Sequence, residues 1–252
     1  MRCTLLVLLI ATASAATAQV NTERMRRLLT DDAVIASVDA AASFATGNTD
    51  FLQVGLGGRL DVRVGENTAF LVGRFDLAQT DERAFVDQSF AHLRHNRMLA
   101  PRLIAESFVQ IQRNRQEALD RRTLLGAGLR YEIVQRDSVG LAFGVTPMFE
   151  YEVLDEALGG SQDAVGRVST YVAGRATLPN GTAFTLVSYV QPRARDLGDL
   201  RVLTQASLDV GLTRYLKLRV RTDLRYDSRP PEGIETIDLR LENGVVIVIP
   251  GS

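Results

Sequence analysis

The chain offers few residues of the kinds that perform chemistry. Its two histidines, His92 and His95, stand three apart. In an extended chain that spacing sends them to opposite faces, so they cannot share one metal ion. Lipid hydrolysis would need a serine beside a histidine and a third group to orient the imidazole. Ser89 and Ser107 are near enough in sequence to consider. Alternation sets Ser89 on the face opposite His92, which shares its own face with Gln88 and Arg94. Glu150 and Glu152 share a face and have a spacing that suits calcium or acid–base work. With many arginines on the same side of other segments, ion pairing accounts for them better. Gly126-Ala127-Gly128 is followed by no helix, so a nucleotide-binding reading fails and room for neighbouring side chains remains. Asn180-Gly181-Thr182 matches a glycosylation sequon, yet Asn-Gly between two strands is a hairpin signal. No catalytic residue, metal ligand or cofactor-binding residue emerges, and the expectation is a protein without enzymatic activity or cofactor.

The elements that position these residues show best at residues 216–227, LKLRVRTDLRYD. Leu216, Leu218, Val220, Thr222, Leu224 and Tyr226 fall on one face of an extended chain. Lys217, Arg219, Arg221, Asp223, Arg225 and Asp227 fall on the other, a period of two. Such a strand suits either a water-facing sheet or a membrane barrel with lipid outside and a polar lumen inside. Arg219, Arg221 and Arg225 facing lipid would together cost on the order of 6–12 kcal/mol, so in a membrane the apolar face must meet lipid. The same alternation recurs along the chain and predicts twelve strands: 34–44, 52–64, 68–80, 84–97, 103–112, 123–133, 139–153, 167–178, 182–191, 200–212, 216–227 and 236–249. Helix-period segments are absent.

Connections are expected to be long after odd-numbered strands, as at 113–120, 154–166, 192–199 and 228–235. After even-numbered strands they are short, as at 65–67, 136–137 and 179–181; the turn at Gly47 breaks the rule. Short periplasmic turns and longer external loops are the habit of outer membrane barrels with periplasmic termini. Arg2, the apolar run from Leu5 to Ile10 and Ala16-Thr17-Ala18 have the layout of a secretory signal peptide, residues 1–18. A polar, Arg-rich periplasmic lead-in, 19–33, with a helical turn or two, would precede a barrel at 34–252. Cys3 is the one cysteine, so the exported part has no disulfide or thiolate chemistry. The net charge of -1 over 252 residues gives no reason to expect nucleic acid. No stretch approaches the ~20 apolar residues of a membrane helix.

Alternation assigns a lumen lining of Arg59, Asp61, Arg63, Arg122, Arg130, Glu132, Glu150, Glu152, Asp209, Arg219, Arg221, Asp223, Arg225, Asp238, Arg240 and Glu242. Mixed signs at these positions predict a lumen partly filled by its own ion pairs. Opposite charges favour one register for the last two hairpins. Asp209 faces Arg219 and Arg201 faces Asp227. Arg225 faces Asp238, Asp223 faces Arg240 and Arg221 faces Glu242. Replacing Arg219, Arg221 and Arg225 by serine is expected to raise conductance.

At residues 110–131, QIQRNRQEALDRRTLLGAGLRY, the chain resembles the YdiY-like salt-induced outer membrane proteins, grouped as domain of unknown function 481. The resemblance rests on Gly47-Asn48-Thr49, on Gln110 and Asn114, and on Leu119-Asp120-Arg121-Arg122 leading into Leu125-Gly126-Ala127-Gly128-Leu129-Arg130-Tyr131. It implies an outer membrane β-barrel with no known enzymatic activity. Barrels of this kind usually end in an aromatic residue, and this chain departs from that with Ile247-Val248-Ile249-Pro250-Gly251-Ser252.

The expected fold is therefore all-β, a transmembrane antiparallel β-barrel of twelve strands in the bacterial outer membrane. Its expected type is structural or narrow-channel, and its expected partners are outer membrane lipid and the assembly machinery. The alternatives are an outer membrane lipid-modifying enzyme, a phospholipase or lipid A deacylase, and a soluble periplasmic lipocalin-like carrier.

Overall fold

The computed structural model describes residues 31–46, 50–80, 83–155, 160–213 and 216–247. The segment expected to be a signal peptide, most of the expected lead-in, the expected turn at Gly47-Asn48-Thr49 and the last five residues lie outside them. The strands are β1 (Ala33–Ala45), β2 (Phe51–Val64), β3 (Asn67–Thr80), β4 (Arg83–Ala100), β5 (Leu103–Asn114) and β6 (Leu119–Gln135). They continue with β7 (Val139–Leu154), β8 (Gln162–Thr177), β9 (Ala183–Arg193), β10 (Asp196–Gly211), β11 (Leu216–Asp227) and β12 (Ile237–Ile247). Among the described residues the one helical element is a 3-10 turn, Arg115–Glu117, between β5 and β6.

The twelve strands form one antiparallel sheet in sequence order, each paired with its chain neighbours. The protein is all-β, and the alternation that predicts the strands also decides their two faces. On β6 and β7, Leu125, Leu129, Phe143 and Phe149 are exposed, while Arg122, Arg130, Glu150 and Glu152 between them are buried. A single-layer sheet buries one face only by curling around it. Contacts between strands three apart record that curl. Arg201 on β10 reaches Glu150 on β7 at 2.7 Å, and Tyr171 on β8 reaches Glu106 on β5 at 2.5 Å. Charge is thus enclosed, and a continuous apolar surface is presented outward. β1 and β12 stand at the two ends of the hydrogen-bonding order, and among the described residues no ladder joins them. Nearly all of β1 is correspondingly exposed on both faces.

The structure corrects several sequence boundaries. β6 begins at Leu119 rather than at 123, and β8 begins at Gln162, shortening the connection expected at 154–166. The loop expected at 192–199 collapses to residues 194–195, because β9 and β10 continue as a hairpin. Side chains hold these extensions: Arg193 Nη1 lies 3.3 Å from Asp163 Oδ2, and the Ser228 hydroxyl accepts from the Leu200 N–H at 2.8 Å. The loop at 114–120 becomes the 3-10 turn, capped by the Asn114 side chain, which accepts from Gln116 N–H at 3.1 Å. The expected sorting of long and short connections therefore survives mainly at residues 228–236 and 155–161.

The register of the last two hairpins is the one that charge favours. Asp209 faces Arg219 and Arg201 faces Asp227. Arg225 faces Asp238, Asp223 faces Arg240 and Arg221 faces Glu242. Directly opposed residues sit about 4.5–5.5 Å apart at Cβ and diagonal ones about 7–8 Å apart, which cysteine pairs can distinguish. Arg221→Cys with Glu242→Cys should cross-link under mild oxidation, and Asp223→Cys with Glu242→Cys should not. The reverse result on non-reducing electrophoresis would mean a two-residue slip.

Candidate functional site: a charged and aromatic interior

Alternation builds the interior in layers along the strands. Toward the short-turn end, Arg59 pairs with Asp61 through Nε at 2.6 Å, and Arg130 Nε donates to Glu132 at 2.7 Å. Arg130 also donates to the Tyr171 hydroxyl at 3.2 Å, and that hydroxyl donates to Glu106. Arg94 lies 3.8 Å from the same Glu106 and 5.7 Å over the Phe108 ring. Glu106 thus collects a guanidinium and a phenol from two other strands.

The middle layer is aromatic. His92 is only 1% exposed, with its ring stacked against Phe90 and Phe108 and tilted against Phe70. Its Nδ1 lies 3.0 Å from the Gln110 side-chain oxygen, an acceptor, so Nδ1 carries the hydrogen. Tyr171 and Tyr189 pack at 5.3 Å beside Val187 and the fully buried Leu203. Glycines make the room. A Cβ at Gly126 would stand 2.6 Å from the Phe108 ring, and one at Gly144 would strike the Tyr171 ring. The cavity left here is about 30 Å³, lined by His92, Ser169, Thr146 and Gln191 among others. That is space for roughly two water molecules.

Toward the long-loop end lies the densest charge. Arg201 donates to Glu150 at 2.7 Å, to Glu152 at 3.3 Å and to Asp227 at 2.8 Å. Arg167 bridges Glu150 at 3.3 Å and Asp199 at 2.8 Å, and Arg122 Nε donates to Glu152 at 2.7 Å. Three guanidiniums and four carboxylates from β6, β7, β8, β10 and β11 therefore interlock. Glu150, Glu152 and Asp199 each meet two guanidiniums, so the desolvation of these charges is offset by more than one partner.

Of the predicted lining residues, Asp61, Arg122, Arg130, Glu150 and Glu152 are buried on this face. Arg59, Arg63, Glu132, Asp209, Arg219, Arg221, Asp223, Arg225, Arg240 and Glu242 are half-buried. Arg219 grips Asp209 with two bonds of 2.6 Å. Asp238 keeps the same phase and pairs with Arg225 at 3.4 Å at the mouth, but its side chain is 61% exposed, because β12 is an edge of the sheet. His95 is exposed while His92 is buried, as their spacing requires. Sequence reasoning set Arg94 on the face of His92 without placing it in the lining, and it missed how Glu106, Arg167, Asp199 and the aromatic layer join this interior. It placed Arg201 only through its register with Asp227. The signal was available: Arg94 is two residues from His92, and Tyr171 is four from Arg167, all on one alternation phase.

The family model for proteins of unknown function DUF481 matches residues 38–248, nearly all of the described sheet. The chain belongs to the DUF481 family. No curated protein matches it. Among solved structures it is similar to one described as the NanC porin structure in a rhombohedral crystal form. The likeness is 10% in sequence identity over 86% of this chain and 99% of that one, with a TM-score of 0.45. For this DUF481 chain the interior therefore stands on its own geometry.

Arg201 is the test of that geometry. Arg201→Met leaves Asp227 without its guanidinium and halves the compensation of Glu150 and Glu152. Removing one member of a buried ionic network costs about 3–5 kcal/mol. Denaturant unfolding of the refolded variant should show a loss of that size, against about 1 kcal/mol or less for Arg229→Met, whose ion pair with Asp196 is exposed.

Proposed function

We propose that the protein is an outer membrane β-barrel of structural or very narrow channel type, closed to solute at rest by its own side chains. The observation that carries this reading is the interior network around Arg201, with a cavity of only about 30 Å³ beside the aromatic layer. The apolar outer face supports membrane insertion. Val109, Ile111, Leu125, Leu129 and Phe149 are all at least 41% exposed in one band, a surface that water would penalise and lipid would not. A lipocalin-like carrier would need an apolar interior and a polar exterior, the reverse of what these faces offer. In the proposed orientation the connection at 228–236 faces outward from the cell and both termini lie in the periplasm. Outer membrane lipid and the assembly machinery are then its partners, after export on the signal peptide.

A lipid-modifying enzyme finds little support here. Ser89 and Ser107 lie on strand positions of the phase opposite His92. Ser169 does line the cavity with His92, but its hydroxyl accepts from Gln191 at 2.9 Å, and the space admits no acyl chain. We therefore read the protein as non-enzymatic.

Conductance across a planar bilayer tests the reading. The wild type should show no stable porin-sized current. The half-exposed Arg219 lies outside the densest layer, so the substitutions that open the path are Arg167→Ser with Arg201→Ser rather than the Arg219, Arg221 and Arg225 set. The double variant should conduct measurably. A stable porin-sized current from the wild type would overturn the proposal.

A further inference from the structure

A cavity of about 410 Å³ at the long-loop mouth is lined by arginines and carboxylates alike, so it favours no ligand charge. The outward face is more selective. Away from the long-loop rim, Arg97 is the one charged side chain on the outward phase of the described strands. It stands near the end of β4, beside the short β4–β5 turn. An arginine facing lipid is costly at the bilayer midplane and tolerated near the interface, which fits that place. Arg97 is exposed, and among the described residues its guanidinium makes no hydrogen bond or ion pair.

Other polar side chains stand next to it. Asn67 faces Arg97 directly across the β3–β4 ladder, and Ser107 faces His95 across the β4–β5 ladder. His95 Nε2 lies 3.1 Å from Asn67 Oδ1, an acceptor, so Nε2 carries the hydrogen. That bond pins the Asn67 carbonyl and leaves its amide –NH2, a double donor, for another acceptor. Ala69 faces His95 and Ala105 faces Arg97, so the floor between the polar groups is low. Leu71 and Leu93 rise next to it on the mid-strand side, 46% and 49% exposed. The arrangement is an island of donors at the foot of an apolar wall. The short turns of this rim add Arg102 and Arg136 against Glu66 and Asp137, which keeps an excess of positive charge. Glu66 is close, since its backbone oxygen accepts from the Met98 N–H at 2.9 Å, yet its carboxylate forms no ion pair with Arg97.

We propose that this island holds the phosphodiester of an anionic phospholipid, with an acyl chain lying along Leu71 and Leu93. The guanidinium fork of Arg97 matches two phosphate oxygens, and the Asn67 –NH2 and the Ser107 hydroxyl add donors beside it. An anionic headgroup is favoured over a zwitterionic one, because the latter brings a second cation to a rim that already holds Arg97, Arg102 and Arg136. The inference rests on the outer membrane reading, which turns the short-turn end toward the periplasmic leaflet.

The chain contains no tryptophan, so a single introduced indole reports on its own surroundings. Val109→Trp, beside Leu93, and Leu208→Trp, on the outward phase of β10, would each be refolded as full chains into vesicles. The vesicles mix phosphatidylcholine with phosphatidylglycerol, one of the two carrying brominated acyl chains that quench the indole. At Val109→Trp phosphatidylglycerol should be preferred about fivefold, the factor one arginine supplies toward an anionic lipid, and at Leu208→Trp it should show little or no preference. Adding Arg97→Gln should remove the preference, while Arg121→Gln at the long-loop end should leave it. Folding of each variant is checked by its heat-modifiable migration. If Arg97→Gln does not fold, Asn67→Asp carries the test, since a carboxylate facing Arg97 should also abolish the preference. Equal quenching by both lipids at Val109→Trp, the same preference at Leu208→Trp, or insensitivity to the folded variant would overturn the proposal. Equal quenching would still put Val109 in lipid and leave the barrel reading standing, whereas no quenching by either lipid would contradict both.

Discussion

A guanidinium buried without an anion destabilises a fold by several kcal/mol, and the inner face of this sheet buries Arg94, Arg122, Arg130, Arg167 and Arg201 together. Their neutralisation constrains the rest of the molecule. It requires Glu106, Glu150, Glu152, Asp199 and Asp227, some on the next strand and some two or three strands away. The sheet must curl until β10 meets β7 and β8 meets β5. The curl in turn sends every second residue outward, which is why the outer face can be apolar along its whole length. Register follows from the same constraint: a one-residue slip on β11 would turn Arg219, Arg221 and Arg225 outward and strip Asp209 of its partner.

The glycines complete the arrangement. Between paired charges the interior must also hold Phe108 and Tyr171, and both rings lie where a side chain on β6 or β7 would otherwise stand. Gly126 and Gly144 supply that space. Ring packing around His92 then leaves room for water but for little else. An aromatic layer stacked beneath an ionic layer gives two obstructions in series along the lumen, and water-sized space remains beside the aromatic one.

Strand number, strand order, the two faces and the register of the last hairpins were legible in the sequence, because each depends on period-two alternation and charge signs that residues 216–227 display openly. Strand ends were less legible. β8 and β10 begin earlier than their apolar residues suggest, since Gln162, Asp163, Asp196 and Asp199 extend the ladders with polar side chains that local pattern assigns to loops. The interior was legible as charged but not as layered. Phe70, Phe90, Phe108, Tyr171 and Tyr189 face inward, and a large apolar residue on the polar phase of a strand is indistinguishable in sequence from an irregularity. Arg201 also reaches Glu150 and Glu152 three strands away, and Arg167 reaches Asp199 two strands away, relations fixed by curvature rather than by spacing. The cavity at the long-loop mouth above Arg201 had no sequence signal, because its walls combine strand ends with a loop whose shape depends on Ser228 and Arg229 docking on β10.

The central claim is that charge is enclosed while the apolar face meets lipid, and nitroxide scanning of β11 tests it most directly. Single cysteines at each position from 216 to 227 would be spin-labelled in protein refolded into vesicles, then relaxed by oxygen or by a water-soluble nickel chelate. Oxygen accessibility should peak at even positions with a period of two, and mid-strand odd positions should be shielded from both reagents. Oxygen maxima at Arg219, Arg221 and Arg225 would contradict the enclosure of charge, and free access of the nickel chelate to the mid-strand position Arg221 would contradict the closure.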